Sequence, residues 1–234
     1  MFKDKLIFAV IPAYNEAGRI KKVIDKTYDF VNQVIVVNDC STDKTLDVIK
    51  HTKACLINLE KNSGAGFATR IGCDLAIEKG ADIIITIDAD GQHCPEDIPR
   101  LINELISKNC DIVFGYREKT KAMPRFKKIG NNFLIFLCKI LFNVKVQDAL
   151  TGFHAFTKQA YPKIRWESDR FGFILEYIYS IYKHNLNYSE TKVKTIYFNK
   201  EHGMKTKDGI KAIVLLFIWK FKMPKSFIKF LKLK

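Results

Sequence analysis

The first 116 residues alternate apolar runs of strand length with amphipathic stretches of helix length, and nothing else in the chain restricts its fold so tightly. LIFAVIPA (6–13), QVIVVND (33–39), ACLINLE (54–60), DIIITID (82–88) and DIVFGY (111–116) have the β-branched and aromatic content of strands. Residues 15–31, 43–51, 65–79 and 95–108 space their apolar positions along one helical face. Parallel strands need crossovers long enough to hold a helix, so this alternation predicts an α/β fold: a mostly parallel, Rossmann-like sheet with helices on both faces. In such sheets ligands collect beyond the carboxyl ends of the strands. The polar clusters PAYNE (12–16), NDCSTD (38–43), KNSGAG (61–66) and DADGQH (88–93) each follow a strand, so four loops are expected to share one edge as a site.

Beyond residue 116 the alternation is expected to stop. KIGNNFLIFLCKILFN (128–143) reads as a helix whose apolar positions 129, 133, 134, 136, 137, 140 and 141 cover a wide face; it can pack beneath the sheet or lie at a membrane interface, and the sequence favours neither. AIVLLFIW (212–219) is flanked by lysines and followed by KMPKSFIKFLKLK (222–234). Both runs fall short of the roughly 20 apolar residues that cross a bilayer. The division expected is a catalytic domain over 1–206 and a basic amphipathic segment over 207–234 that attaches to a membrane surface.

Charge supports that division. Of a formal net charge of +14, residues 116–145 hold eight Lys or Arg against one Glu, and residues 200–234 hold ten Lys against two acids, so the rest is near neutral. Basic residues interleaved with long apolar runs do not resemble a nucleic-acid surface of exposed stacking aromatics, and no nucleic-acid partner is expected. The six cysteines form no C-x-x-C pair and the five histidines are scattered, which argues against a zinc site or a disulfide framework. The N-terminus lacks the pattern of a signal peptide, so a cytoplasmic protein, peripheral on the cytoplasmic face of the membrane, is expected.

Asp88 and Asp90 stand two residues apart at a strand end, with Gln92 following. Two carboxylates and an amide oxygen can share one hard cation, Mg²⁺ or Mn²⁺, that keeps open positions for substrate phosphates; the aspartates can equally be turn formers beside Gly91. KNSGAGFATRIG (61–72) opens a helix whose first N–H groups favour an anion, with Gly64 closest to it. It is not a dinucleotide fingerprint, because Thr69 stands where the third glycine belongs, and no P-loop occurs.

In order along the chain, PAYNE (12–16), VVNDCSTDKT (36–45), NSGAGFATRIG (62–72), DADGQH (88–93), DALTGFHAF (148–156) and FGFILE (171–176) resemble the motifs of family 2 glycosyltransferases, most nearly those of the dolichyl- and polyprenyl-phosphate mannose and glucose synthases. The resemblance covers roughly residues 6–206. It implies a GT-A fold, a nucleotide-diphosphate-sugar donor (GDP- or UDP-hexose), a divalent metal and an inverting displacement. Carried over by position, it implies that Pro12, Tyr14 and Glu16 line the nucleotide pocket and that Asp39 contacts base or ribose. Asp88 would face ribose or metal, while Asp90 and Gln92 would bind the metal. Arg117 and Arg125 would meet the acceptor phosphate, with Thr151 and Gly152 shaping the site. Two departures stand out: the family's acidic pair and glycine reads Asn38-Asp39-Cys40-Ser41, and the segment KEHGMKTK (200–207) leaves the family's late basic role to Lys205, to His202 or to neither.

A sugar hydroxyl is a poor nucleophile and needs a carboxylate base, whereas a lipid monophosphate is already anionic and needs positioning and charge compensation. The basic patch with Arg117 and Arg125 suits a polyprenyl or dolichyl phosphate acceptor. The alternatives are a saccharide or glycolipid hydroxyl acceptor with Glu176 as base, a basic nucleic-acid-binding module, and an inactive relative acting as a scaffold.

Overall fold

All five expected strands form, and two more join them. The computed structural model describes residues 4–118, 125–170, 172–196 and 206–221. Strands β1 (Ile7–Ala13), β2 (Gln33–Asn38), β3 (Cys55–Asn58), β4 (Ile83–Thr86) and β5 (Ile112–Arg117) alternate with helices α1 (Ile20–Tyr28), α2 (Thr45–Lys50), α3 (Ala65–Glu78) and α4 (Ile98–Ser107). A 3-10 turn over Pro95–Asp97 leads into α4. The chain continues through α5 (Arg125–Phe142), β6 (His154–Thr157), α6 (Tyr161–Ile164), α7 (Phe173–His184), β7 (Tyr188–Val193) and α8 (Thr206–Lys220).

The sheet runs β3-β2-β1-β4-β6-β5-β7. Its pairs are parallel except where β6 inserts antiparallel between β4 and β5. The end of alternation expected at 116 is therefore corrected: β6 and β7 complete the sheet. Neither advertises itself, since HAFT is four residues long and YSETKV is a polar edge strand whose burial comes from β5 beside it. The antiparallel insertion matters for function. It places the start of β6 against the carboxyl end of β4, with His154 opposite Thr86, so the loop before β6 reaches the same edge as the loops of the first half.

Period-two alternation divides the core. Ile7, Ala9 and Ile11 face α1 and α4, whereas Phe8 and Val10 face the layer built from α3, α5, α7 and α8. The run 212–219, expected at the surface, is largely built into that second layer: Ala212, Leu215, Leu216 and Ile218 are buried in α8, which packs on α5 and α7. A helix apolar on most sides gains more from tertiary packing than from water. No described helix is long and apolar enough to cross a membrane.

Candidate active site

The loops after β1 and β2 are stitched together by their own polar side chains. Asn15 takes a positive φ of 57°; its N–H donates to Ser41 Oγ at 3.0 Å, and its Oδ1 accepts from Thr42 N at 2.8 Å. Glu16 N donates to Thr45 Oγ1 at 2.7 Å, and Asn38 bonds both Ser41 and Asn58. These bonds explain why α1 starts at Ile20 instead of near 15: the preceding residues form a loop whose Glu16 carbonyl accepts from Arg19 N and Ile20 N. Pro12 lies half-buried at the end of β1, Tyr14 is exposed, and the Glu16 carboxylate is buried against Arg19.

Asp39 is buried. Its Oδ1 accepts from Ser63 N at 2.7 Å and its Oδ2 from Gly64 N at 2.8 Å. Phe67 N is taken by the carbonyl of Asp169. Three of the amides at the opening of α3, those of Ser63, Gly64 and Phe67, are thus taken up by the Asp39 carboxylate and by a strap over 166–170. The glycines serve the strap: Gly64 holds φ at 98°, and a Cβ at Gly64 or Gly66 would drive into the backbone of 168–170. Trp166 Nε1 donates to Gly66 O at 2.8 Å. Glu176, in the first turn of α7, closes the strap from below, its two oxygens accepting from Glu167 N at 2.9 Å and Ser168 N at 2.8 Å. Burial raises the pKa of this carboxyl, and the two amides oppose the rise. Among the described residues its partners are these two backbone amides and the Ser168 side chain.

Asp88 follows β4 and marks the floor of the cleft. Protein surrounds it on most sides, yet 44% of its side-chain surface remains open to solvent. Burial, then the charge of Asp90, and more weakly that of Glu16, push its pKa up to about 7, while Arg117 opposes them. Three sequence-identified residues, Glu16, Asp90 and Arg117, are thereby within electrostatic reach of Asp88. Asp90 Oδ1 accepts from Gln92 N at 2.9 Å, and Gln92 O accepts from Ile196 N, which ties the turn to the segment after β7. Gly152 lies directly over the Asp88 carboxylate, where a Cβ would fall under 3.0 Å from all three carboxylate atoms. Its carbonyl accepts from Thr86 Oγ1 at 3.0 Å, and Thr151 is buried beside it. His93 Nε2 stands 3.6 Å from Asp88 Oδ2, held neutral by burial, which lowers its pKa to about 3.

Arg117 ends β5 and forks onto Asp148, with Nε to Oδ2 at 2.6 Å and Nη2 to Oδ1 at 3.1 Å. Asp148 is buried and also accepts from Asn131 Nδ2 of α5 and from Leu150 N, both at 3.0 Å. Burial alone would raise this carboxyl, but the Arg117 charge and its hydrogen bonds hold it below the usual range. Sequence reasoning missed Asp148 and Asn131 as the seat of Arg117. A signal existed: Asp148 is the one acid between residues 119 and 166. The side chain of Arg125 and the whole of His202 and Lys205 lie outside the described residues.

Among the described residues no group of three or more His, Cys, Asp or Glu could cage a metal. The donor set still fits a hard divalent cation, since two mutually repelling carboxylates and Gln92 occupy one open turn, and Mg²⁺ or Mn²⁺ commonly takes few protein ligands beside substrate phosphates. The described cysteines are all free thiols.

The model of the family described as Glycosyl transferase family 2 matches residues 8–165. A UDP-N-acetylglucosamine–dolichyl-phosphate N-acetylglucosaminyltransferase of Methanococcus voltae is 34% identical, over 93% of this chain and 97% of its own. An undecaprenyl-phosphate mannosyltransferase of Micrococcus luteus is 27% identical, over 71% and 74%. A dolichyl-phosphate beta-glucosyltransferase of Trichomonas vaginalis is 32% identical over 67% of this chain and 52% of its own. In fold, the chain is similar to the glucosyl-3-phosphoglycerate synthase of Mycobacterium tuberculosis solved with Mn²⁺ and UDP-glucose, at a TM-score of 0.70 and 16% identity, covering 95% of this chain and 81% of the other.

Proposed function

The chain belongs to glycosyl transferase family 2 and is a glycosyltransferase, and from that premise we propose that it moves one sugar from a nucleotide-diphosphate sugar to a polyprenyl or dolichyl phosphate, in a single inverting displacement at a membrane surface. The observation that carries this reading is the meeting, at one sheet edge, of the Asp88–Asp90 pair with the Arg117 guanidinium.

Asp88, Asp90 and Gln92 would hold a divalent ion, which when bound would supply positive charge to the departing nucleoside diphosphate. Pro12, Tyr14 and Glu16 wall the nucleotide side, and Asp39 shapes it by fixing the loop at 63–64. Arg117, seated on Asp148, meets the acceptor phosphate, with Arg125 assigned beside it. Because the acceptor is already an anion, no general base is required. The occupation of both Glu176 oxygens by backbone amides supports that mechanism over a hydroxyl acceptor.

Sequence alone pointed to mannose or glucose. We place UDP-N-acetylglucosamine first among donors, because a relative matched over 97% of its length bears that donor in its name; UDP-glucose and GDP-mannose follow. The site of action is assigned to the cytoplasmic face, where nucleotide sugars are available. The test is Asp90→Ala: the fold, read by circular dichroism and Tm, is retained, and metal-dependent transfer is lost. Unchanged metal-dependent transfer in that variant overturns the reading.

A further inference from the structure

Helix α5 has two apolar faces, and the fold covers one of them. Leu134, Leu137, Cys138, Leu141 and Phe142 are buried against the rest of the second layer. Ile129, Phe133, Phe136 and Ile140 are exposed by 69%, 48%, 54% and 61%. At roughly 100° per residue these four fall within one narrow arc, an unbroken stripe about 16 Å long. Single exposed apolar residues are ordinary, but four large ones in register are not. The stripe's flank is basic: Lys128 and Lys139 are exposed and project to one side of it. At the end of the neighbouring α8, Phe217 and Phe221, the residue just after the helix, stack with ring centroids 6.3 Å apart and are also exposed.

We infer that this stripe is the membrane-contacting face of the protein, inserted among the headgroups and upper acyl chains of an anionic bilayer with Lys128 and Lys139 at the phosphate level. An apolar arc with cationic residues along its edge is the pattern of a helix lying in the interface plane, where lysine stems cover apolar surface while their ammonium groups stay wet. Charge complementarity selects an anionic lipid surface over a second copy, because the stretch from 116 to 145 holds eight Lys or Arg against one Glu and would repel its own image. The opposite face of α5 carries Asn131, which donates to Asp148, the partner of Arg117. One helix therefore meets the lipid on one side and braces the proposed phosphate-binding arginine on the other. This inference rests on the lipid-phosphate reading for its purpose, and it moves the principal contact from the C-terminal segment to α5.

The test uses the full chain with vesicles of phosphatidylcholine, with and without phosphatidylglycerol, and has two parts. The Phe133→Ser/Phe136→Ser variant, altered at exposed positions, is expected to fold as the parent does and to lose more than about tenfold in partition onto anionic vesicles. A Phe136→Trp variant is expected to bind as the parent does, its added indole shifting to the blue and being quenched by lipids brominated along the acyl chain. Binding of the parent to vesicles without quenching of that indole, or unaffected by the double serine change, places the contact elsewhere and overturns the inference. So does absence of vesicle binding, and so does a dimer in solution that the double serine variant dissolves. Neither part depends on turnover, so a protein that passes both yet does not glycosylate polyprenyl phosphate refutes the acceptor reading alone.

Discussion

Asp88 is destabilising in the place where it is useful. Burial and Asp90 disfavour its charge and hold its pKa above the usual carboxylate range, and Arg117 relieves this only in part. A group whose folded pKa is raised above its unfolded value of 3.8 binds a proton in the folded state that the unfolded state has lost; stability therefore falls as pH rises from about 4 to 7. Asp88→Asn is predicted to raise the Tm of the metal-free protein at pH 8 and to leave it nearly unchanged at pH 4. In the parent, Mn²⁺ should raise Tm at pH 8 and progressively less below pH 7, as protons compete for the ligand; equal Mn²⁺ shifts at pH 5 and pH 8 contradict the account. Gly152 supplies the second prediction at this scale. Since a methyl there collides with the carboxylate, Gly152→Ala should cost on the order of 100-fold in turnover through misplacement of Asp88, with donor binding measured calorimetrically to show whether the cleft survives. The aspartates were legible because D-x-D-G-Q-H ends an apolar run. The pressure of Gly152 on Asp88 was not, because it exists only once β6 runs antiparallel beside β4.

The strap over 166–170 shows how one element can be mistaken for another's chemistry. Read in sequence, the glycines at the start of α3 resemble an anion cradle; in the fold they give the clearance that lets the strap cross the helix start. Glu176 holds that strap by two amides, so Glu176→Gln, which can accept from only one of them, should lower stability by about 1–3 kcal/mol. Turnover should fall only as far as the strap loosens, and thermal denaturation beside steady-state kinetics separates the cases. An unchanged Tm with turnover abolished would instead mark Glu176 as a base. The first five strands were legible from apolar runs bounded by polar clusters. β7 was not, because an edge strand of Tyr, Ser, Glu, Thr, Lys and Val owes its place to the backbone of β5 and not to its own hydrophobicity.

At the scale of the molecule, an open sheet gathers polar loops along one edge, and the basic, apolar second half closes over it. Composition revealed that division through its uneven charge. It did not reveal that the run 212–219 also packs on α5 and α7, because sequence alone does not tell a helix covered by protein from one that lies on a membrane. The central claim is that the edge transfers sugar to a lipid phosphate. It is tested most directly by incubating the full chain with radiolabelled UDP-N-acetylglucosamine, UDP-glucose and GDP-mannose in separate reactions with polyprenyl phosphate in detergent and Mn²⁺, then extracting into organic solvent. The account predicts acid-labile label in the organic phase from one donor, abolished by chelation of the metal. Turnover of a donor with no label on the lipid, across the whole panel, contradicts it.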